Sequence, residues 1–289
     1  MDIIKTIQEM TQRSAEWKKN DKKIGLVPTM GYLHEGHLAL VRQARAENDL
    51  VVVSIFVNPL QFSPQEDLGR YPRNLERDLA LLETQYVNAV FNPAPEEMYP
   101  ADFNAAVEVQ GLTEMLEGAG RPGHFRGVTT VVAKLFHIVN PGTAYFGQKD
   151  AQQVAVIRKM VRDLNFPLKI TVCPTRRESD GLAMSSRNVY LSTEQRASAI
   201  VLYRALSAAK TAWESGEREG ARLRNIMEQT LAIEPLAQPD YVSAANPDSL
   251  QEYEGLIEAG QGVLLSLAVQ FGPTRLIDNF LLSDFTRAI

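Results

Sequence analysis

Histidine is scarce in this chain, with 4 among 289 residues. Two of them, His34 and His37, stand three positions apart in PTMGYLHEGH (28–37), directly after the apolar run 24–27. If a helix begins here, that spacing puts both rings on one face. Three chemistries then compete: metal ligation, hydrogen bonding to a phosphate at a helix N-terminus, and plain capping of a turn. Metal ligation lacks partners. The other histidines lie far along the chain, Cys173 stands alone, and His37 falls one residue too early for a His-Glu-x-x-His zinc pattern. The phosphate reading uses more of the residues. A strand closing at Pro28-Thr29, a glycine turn at Gly31 and a helix opening near His34 would bring unsatisfied N–H groups to the positive end of the helix dipole. Imidazole N–H donors beside them would stabilise charge on an α-phosphate and on departing pyrophosphate. Gly36 would let a nucleotide approach the backbone.

A second signal lies downstream in DGLAMSSRN (180–188), where two hydroxyls and a cation share a small-residue loop able to grip triphosphate oxygens. A third is an absence. Between Glu117 and Asp150 there is no acidic residue, yet the stretch holds Arg121, Arg126, Lys134, Lys149, His124 and His137. If parts of it converge, the local potential is positive and an anion is the expected guest. GAGRPG (118–123) matches the G-x-G-x-x-G dinucleotide pattern only by letter. A helical turn precedes it, Pro122 interrupts it and no suitable acid follows, so no nicotinamide or flavin site is expected.

These residues need a scaffold. With 45% hydrophobic and 22% charged side chains, the chain can build a core large enough to divide in two. A net charge of −5 argues against a general nucleic-acid or membrane-surface binder. The single cysteine permits no internal disulfide, as in a reducing compartment. The opening MDIIKTIQEM shows no basic-then-apolar leader, and no apolar run reaches membrane-spanning length, so a cytoplasmic protein is expected.

Runs 23–27 and 49–57 are β-branched and near-continuously apolar, as strands covered on both faces are. Residues 35–47 between them show helical spacing. Helix, strand, helix, strand, helix and strand then follow at 72–86, 87–91, 127–139, 143–146, 150–164 and 168–173. This rhythm predicts an α/β fold with a doubly wound parallel sheet and right-handed crossovers. Beyond about residue 177, helices at 193–215 and 217–231 precede strands at 241–245, 262–269 and 274–281, the last two forming a hairpin around Phe271-Gly272-Pro273. Residues 283–289 are expected to fray.

HEGH (34–37) resembles the HIGH signature of adenylyl-transferring nucleotidyltransferases, and MSSRN (184–188) resembles their KMSKS-type loop. Together with VSIFVNPLQF (53–62), RPGHFRGVTTVV (121–132) and YFGQKDAQQ (145–153), these blocks are similar, in order and spacing, to the pantothenate synthetase (pantoate–β-alanine ligase) family. The resemblance implies a Rossmann-like first domain over 1–176 that binds nucleotide and pantoate, and a smaller α+β domain over 177–289 carrying the KMSKS-like loop. It implies ATP-dependent joining of (R)-pantoate to β-alanine through pantoyl adenylate, with Mg²⁺ accompanying ATP, a homodimeric assembly, and neither nucleic acid nor membrane as partner.

Site residues follow by matching motifs. Met30, Gly31, Tyr32, Leu33, His34, Glu35, Gly36 and His37 would line the ATP site, with His34, His37 and Lys149 as the catalytic groups. Gly147, Gln148, Lys149 and Asp150 would meet the nucleotide, the backbone of Arg176 the adenine, and Met184, Ser185, Ser186 and Arg187 the triphosphate. Gln61 and Gln153 would hold pantoate, with Asn58 and Arg121 also facing substrate and Asp78 in a metal shell. Gln148 stands where many members of that family carry glutamate.

Overall fold

Continuous apolar runs become a parallel sheet when helices cover both faces, and the strands of the first half do so. The computed structural model describes residues 1–64 and 66–283. The fraying expected over 283–289 lies outside the described residues except at Ser283. In chain order the first half contains β1 (Asp2–Ile4), α1 (Ile7–Lys19), β2 (Ile24–Thr29), α2 (Glu35–Glu47), β3 (Leu50–Ile55), α3 (Leu75–Thr84), β4 (Ala89–Phe91) and α4 (Pro95–Met98). Then come α5 (Glu117–Gly120), α6 (His124–Val139), β5 (Thr143–Gly147), α7 (Ala151–Asp163) and β6 (Lys169–Cys173).

All six strands pair in parallel, in the order β1-β4-β3-β2-β5-β6. The strand order reverses at β2, whose neighbours are β3 and β5. Its ladder with β3 runs from Ile24↔Leu50 to Thr29↔Ile55, whereas its ladder with β5 ends at Leu26↔Ala144. Pro28 has no N–H to extend that ladder. The carboxyl ends of β2 and β5 are therefore not zipped together, and this is the switch point where open α/β sheets bind ligands. Val27, Val41, Val51, Val53, Val90 and Tyr145 belong to one buried cluster behind it.

Two elements here go beyond those expected from the sequence. β1 has three residues, of which only Ile4 is buried, and it gains strand geometry by pairing with β4. Helix α1, which was not expected, is capped by Thr6 and turns Ile7, Met10, Ser14 and Trp17 inward at helical spacing.

The remaining elements are α8 (Thr193–Ser198), α9 (Val201–Glu214), α10 (Gly220–Leu231), β7 (Gln238–Ala245), β8 (Val263–Phe271) and β9 (Thr274–Leu282). The strands form an antiparallel sheet in the order β7-β8-β9, and its buried face joins Leu202, Leu206, Trp213, Leu223 and Met227 in a core. The connection between β8 and β9 is Gly272-Pro273, with Gly272 at φ +59, the glycine-first order of a two-residue II′ turn. The single helix expected over 193–215 is two. Ala199 and Ile200 hold ψ near −18 and −22, a tightened turn with neither proline nor glycine to announce it.

The chain divides into two units: Met1–Glu114, Gly118–Gly147 and Val156–Pro174 in the first; Met115–Glu117, Gln148–Ala155 and the chain from Thr175 onward in the second. Within the second, the buried Gln152 accepts from Glu117 N–H at 2.9 Å and donates to Met115 O at 2.8 Å, which ties in residues 115–117. No helix among the described residues is long and apolar enough to cross a membrane.

Candidate active site

The histidine turn is built by its own backbone needs. Helix α2 leaves its first N–H groups without intrahelical acceptors. The His34 ring supplies one acceptor, taking the Gly36 N–H on Nδ1 at 3.1 Å, while His37 Nδ1 accepts the His34 N–H at 3.3 Å. The rings lie 4.0 Å apart, centroid to centroid. Capping and phosphate binding are thus compatible rather than rival. With Nδ1 accepting in both rings, the proton of each neutral imidazole sits on Nε2, as a donor.

The turn before the helix is strained and firmly held. Gly31 has φ +81 and Tyr32 φ +49, the latter an unfavourable value for a side-chain-bearing residue. Asp78, from the first turn of α3, accepts the Tyr32 and Leu33 N–H groups at 2.6 and 2.8 Å. Arg77 donates to Leu33 O at 2.9 Å and lies 5.3 Å from the Tyr32 ring centroid. Burial pushes the Asp78 carboxyl above its ordinary value, opposed by those two N–H groups and by Arg77. Asp78, expected in a metal shell, is 1% exposed and anchors the loop, both oxygens accepting backbone N–H groups. Among the described residues no group of three His, Cys, Asp or Glu side chains could hold a metal ion.

Gln61 and Asn58 belong to the same unit, on the turn Pro59–Gln61 that follows β3. Gly127 of α6 packs so closely on this turn that a Cβ there would meet Leu60 O at 2.2 Å. The Gln61 Nε2 group lies 3.3 Å from Met30 Sδ, so the pantoate and ATP candidates meet. A cavity of about 400 Å³ opens beside them, lined in part by Gln61, Glu66, Arg121, His124 and Thr130.

Arg121, expected to face substrate, lines this cavity with its charge already partnered. It pairs bidentately with Glu66 and donates to His124 Nε2 at 3.1 Å, rather than offering a bare cation to substrate. Burial raises the Glu66 carboxyl, but Arg121, the Ser63 N–H and His124 together outweigh it and hold it below its ordinary value. Since a guanidinium only donates, His124 Nε2 is unprotonated here, and its Nδ1–H donates to Gln61 O at 2.8 Å. The acid-free stretch is thus not acid-free in space. Of its other cations, Lys134 lies 4.8 Å from the Phe103 ring centroid, and Lys149 pairs with Asp150 at 3.3 Å.

In the second unit, Asn279 accepts from the Gln148 side chain at 3.1 Å and donates to the Gln148 and Lys149 carbonyls at 3.0 and 2.8 Å. Gln153 lies on α7. The Arg176 carbonyl accepts the Met184 N–H at 2.9 Å, bringing two expected residues together through the backbone. Ser185 caps the turn Ser186–Tyr190, its Oγ accepting the Arg187 N–H at 3.3 Å. Gly181, at φ +96, faces the Tyr203 ring so closely that a Cβ would meet it at 2.2 Å.

Sequence reasoning gave no role to Tyr99 or Glu66. Each acts on a residue tens of positions away, and no local pattern marks them.

The pantoate-beta-alanine ligase family model matches residues 2–281. The pantothenate synthetase of Herpetosiphon aurantiacus is 57% identical over 98% of this chain and 100% of its own, and that of Moorella thermoacetica is 56% identical over 98% and 99%. Among solved structures, pantothenate synthetase from Thermus thermophilus superposes with a TM-score of 0.90 at 50% identity, over 97% of this chain and 99% of its own. The pantoate-beta-alanine ligase of Francisella tularensis, crystallised with beta-gamma ATP and beta-alanine, gives 0.79 at 36% identity over 97% of each chain. The match spans nearly every residue, both units included, and the chain belongs to the pantoate–β-alanine ligase family of enzymes.

Proposed function

We propose that this enzyme joins (R)-pantoate to β-alanine in two steps driven by ATP. The pantoate carboxylate attacks the α-phosphate, forming pantoyl adenylate as the bond to pyrophosphate breaks. The β-alanine amine then attacks the acyl carbon, giving pantothenate with loss of a proton and release of AMP. Neither step needs a protein nucleophile, so the side chains act by positioning and charge stabilisation.

The observation that carries this reading is the capped histidine pair at the switch point of the sheet. Each ring keeps Nδ1 on the backbone and carries its proton on Nε2. His34 and His37 donate to the triphosphate, His37 toward the reacting phosphate. Met30 to Leu33, Glu35 and Gly36 line the nucleotide, and Gln61 takes pantoate, with the buried Asn58 shaping that end behind it. Family resemblance alone assigns the rest: Gly147, Gln148 and Asp150 to the nucleotide, Lys149 to phosphate charge, Gln153 to pantoate, the Arg176 backbone to adenine and Met184 to Arg187 to the triphosphate. Mg²⁺ would neutralise triphosphate charge. Phosphate oxygens and water would make up most of its ligands. The same resemblance supports a cytoplasmic homodimer, which sedimentation velocity would read.

Exchange of labelled pyrophosphate into ATP tests the chemistry. The account expects exchange that requires pantoate but not β-alanine, and pantothenate with AMP when both are supplied. Exchange independent of pantoate would contradict it.

A further inference from the structure

Gln61 is held by its neighbours at both ends, and one line of hydrogen bonds to it starts at Tyr99, immediately after α4. The Tyr99 hydroxyl donates to Asn58 Oδ1 at 2.7 Å. Its ring packs against Phe56 and Phe103, with centroids 6.0 and 5.0 Å away. Burial raises the phenol well above its ordinary value, so the hydroxyl keeps the proton it donates.

The amide orientations along this line are not arbitrary. The Gly127 carbonyl can only accept, so the Asn58 atom 3.0 Å from it is Nδ2. The Leu60 N–H can only donate, which places Oδ1 on the other side at 3.4 Å. Asn58 is 1% exposed and cannot turn over without stranding these groups. Its Nδ2 also donates to Gln61 Oε1 at 3.1 Å, so the far end of Gln61 is Nε2, set 3.3 Å from the weak acceptor Met30 Sδ.

We infer that Tyr99 is a positioning residue that, through Asn58, sets Gln61 to present N–H donors and so makes this position select a substrate acceptor, a carboxylate or hydroxyl oxygen. The inference rests on the reading of Gln61 as a pantoate ligand and goes beyond it by fixing which end of the amide faces substrate and what holds it there.

Tyr99→Phe keeps the ring and removes only the hydroxyl. In pyrophosphate exchange it should raise the KM for pantoate about fivefold to tenfold, the scale of one buried hydrogen bond. The KM for ATP should stay within about twofold. In a Gln61→Ala background the same change should add less than about twofold, because the two residues act as one unit. A merely structural role would move both KM values and persist without Gln61. An unchanged pantoate KM, or a full effect in the Gln61→Ala background, overturns the inference. If Tyr99→Phe does not fold, Gln61→Glu reads the orientation directly. An oxygen facing an acceptor should raise the pantoate KM beyond that of Gln61→Ala, and an equal or lower value overturns the inference. Absence of pantoate-dependent exchange in the unaltered protein would instead sink the proposed reaction.

Discussion

The histidine turn of the first unit and the segment from Glu178 to Asn188 of the second are both short, glycine-containing and rich in candidate phosphate donors, but they are held differently. The turn depends on distant residues. Asp78 reaches Tyr32 and Leu33 across 46 and 45 positions, and Arg77 reaches Leu33 across 44. The downstream segment has ties of shorter reach. Asp180 accepts the Leu182 N–H, Asn188 donates to Ala183 O and Glu178, and Arg196 bridges Glu178 and Asp180, none of these spanning more than 18 positions. A buried carboxylate serving two backbone N–H groups makes a rigid turn, whereas partly exposed ion pairs make a looser one. Strain at Tyr32 is sustained only by the first kind of support.

The largest expected effect tests the chemistry of the rigid turn. His37→Ala should slow pantoate-dependent pyrophosphate exchange by about two to three orders of magnitude, as when one preorganised donor is lost. The fold should lose only about 1 kcal/mol, the scale of a lost cap. Exchange at an unaltered rate would remove His37 from the mechanism.

Next comes the turn's anchor. Asp78→Ala strands one buried and one part-buried N–H group and should destabilise the protein by about 2–4 kcal/mol in urea unfolding. Asp78→Asn retains one acceptor oxygen and should lose less. Equal stability in all three proteins would erase the contrast between the regions.

This contrast also marks what could be read from the sequence. His34 and His37 were legible because their spacing alone puts the rings on one face, and β2 and β3 because burial on both faces leaves an unbroken apolar run. The anchoring role of Asp78 was not legible, since no local pattern pairs it with amides 45 residues away. The acid-free stretch misled for the same reason: Glu66 arrives from 55 positions away to neutralise Arg121. Tyr99 was silent, because its hydroxyl acts on a residue 41 positions back. Local chemistry is written locally, but the residues that orient it are brought by the fold.

Smaller effects sharpen the other side. Arg196→Ala removes a bridge whose groups are 28–36% exposed, and should cost less than about 1 kcal/mol. A loss as large as that of Asp78→Ala would show the downstream segment to be equally rigid.

The smallest effect is a pH dependence at Glu66. Its folded value lies below the ordinary 4.5, so its pairing with Arg121 stabilises the protein above that pH and is lost as pH falls through the lowered value. Glu66→Gln should therefore be less stable than the unaltered protein at neutral pH, with the gap closing in acid. A gap that widened in acid would reverse the sign of the account.

A crystal structure with Mg-ATP bound tests the central claim most directly. The account predicts triphosphate oxygens within hydrogen-bonding distance of Nε2 of both His34 and His37, with each Nδ1 still on the backbone. A triphosphate seated away from both rings would contradict it.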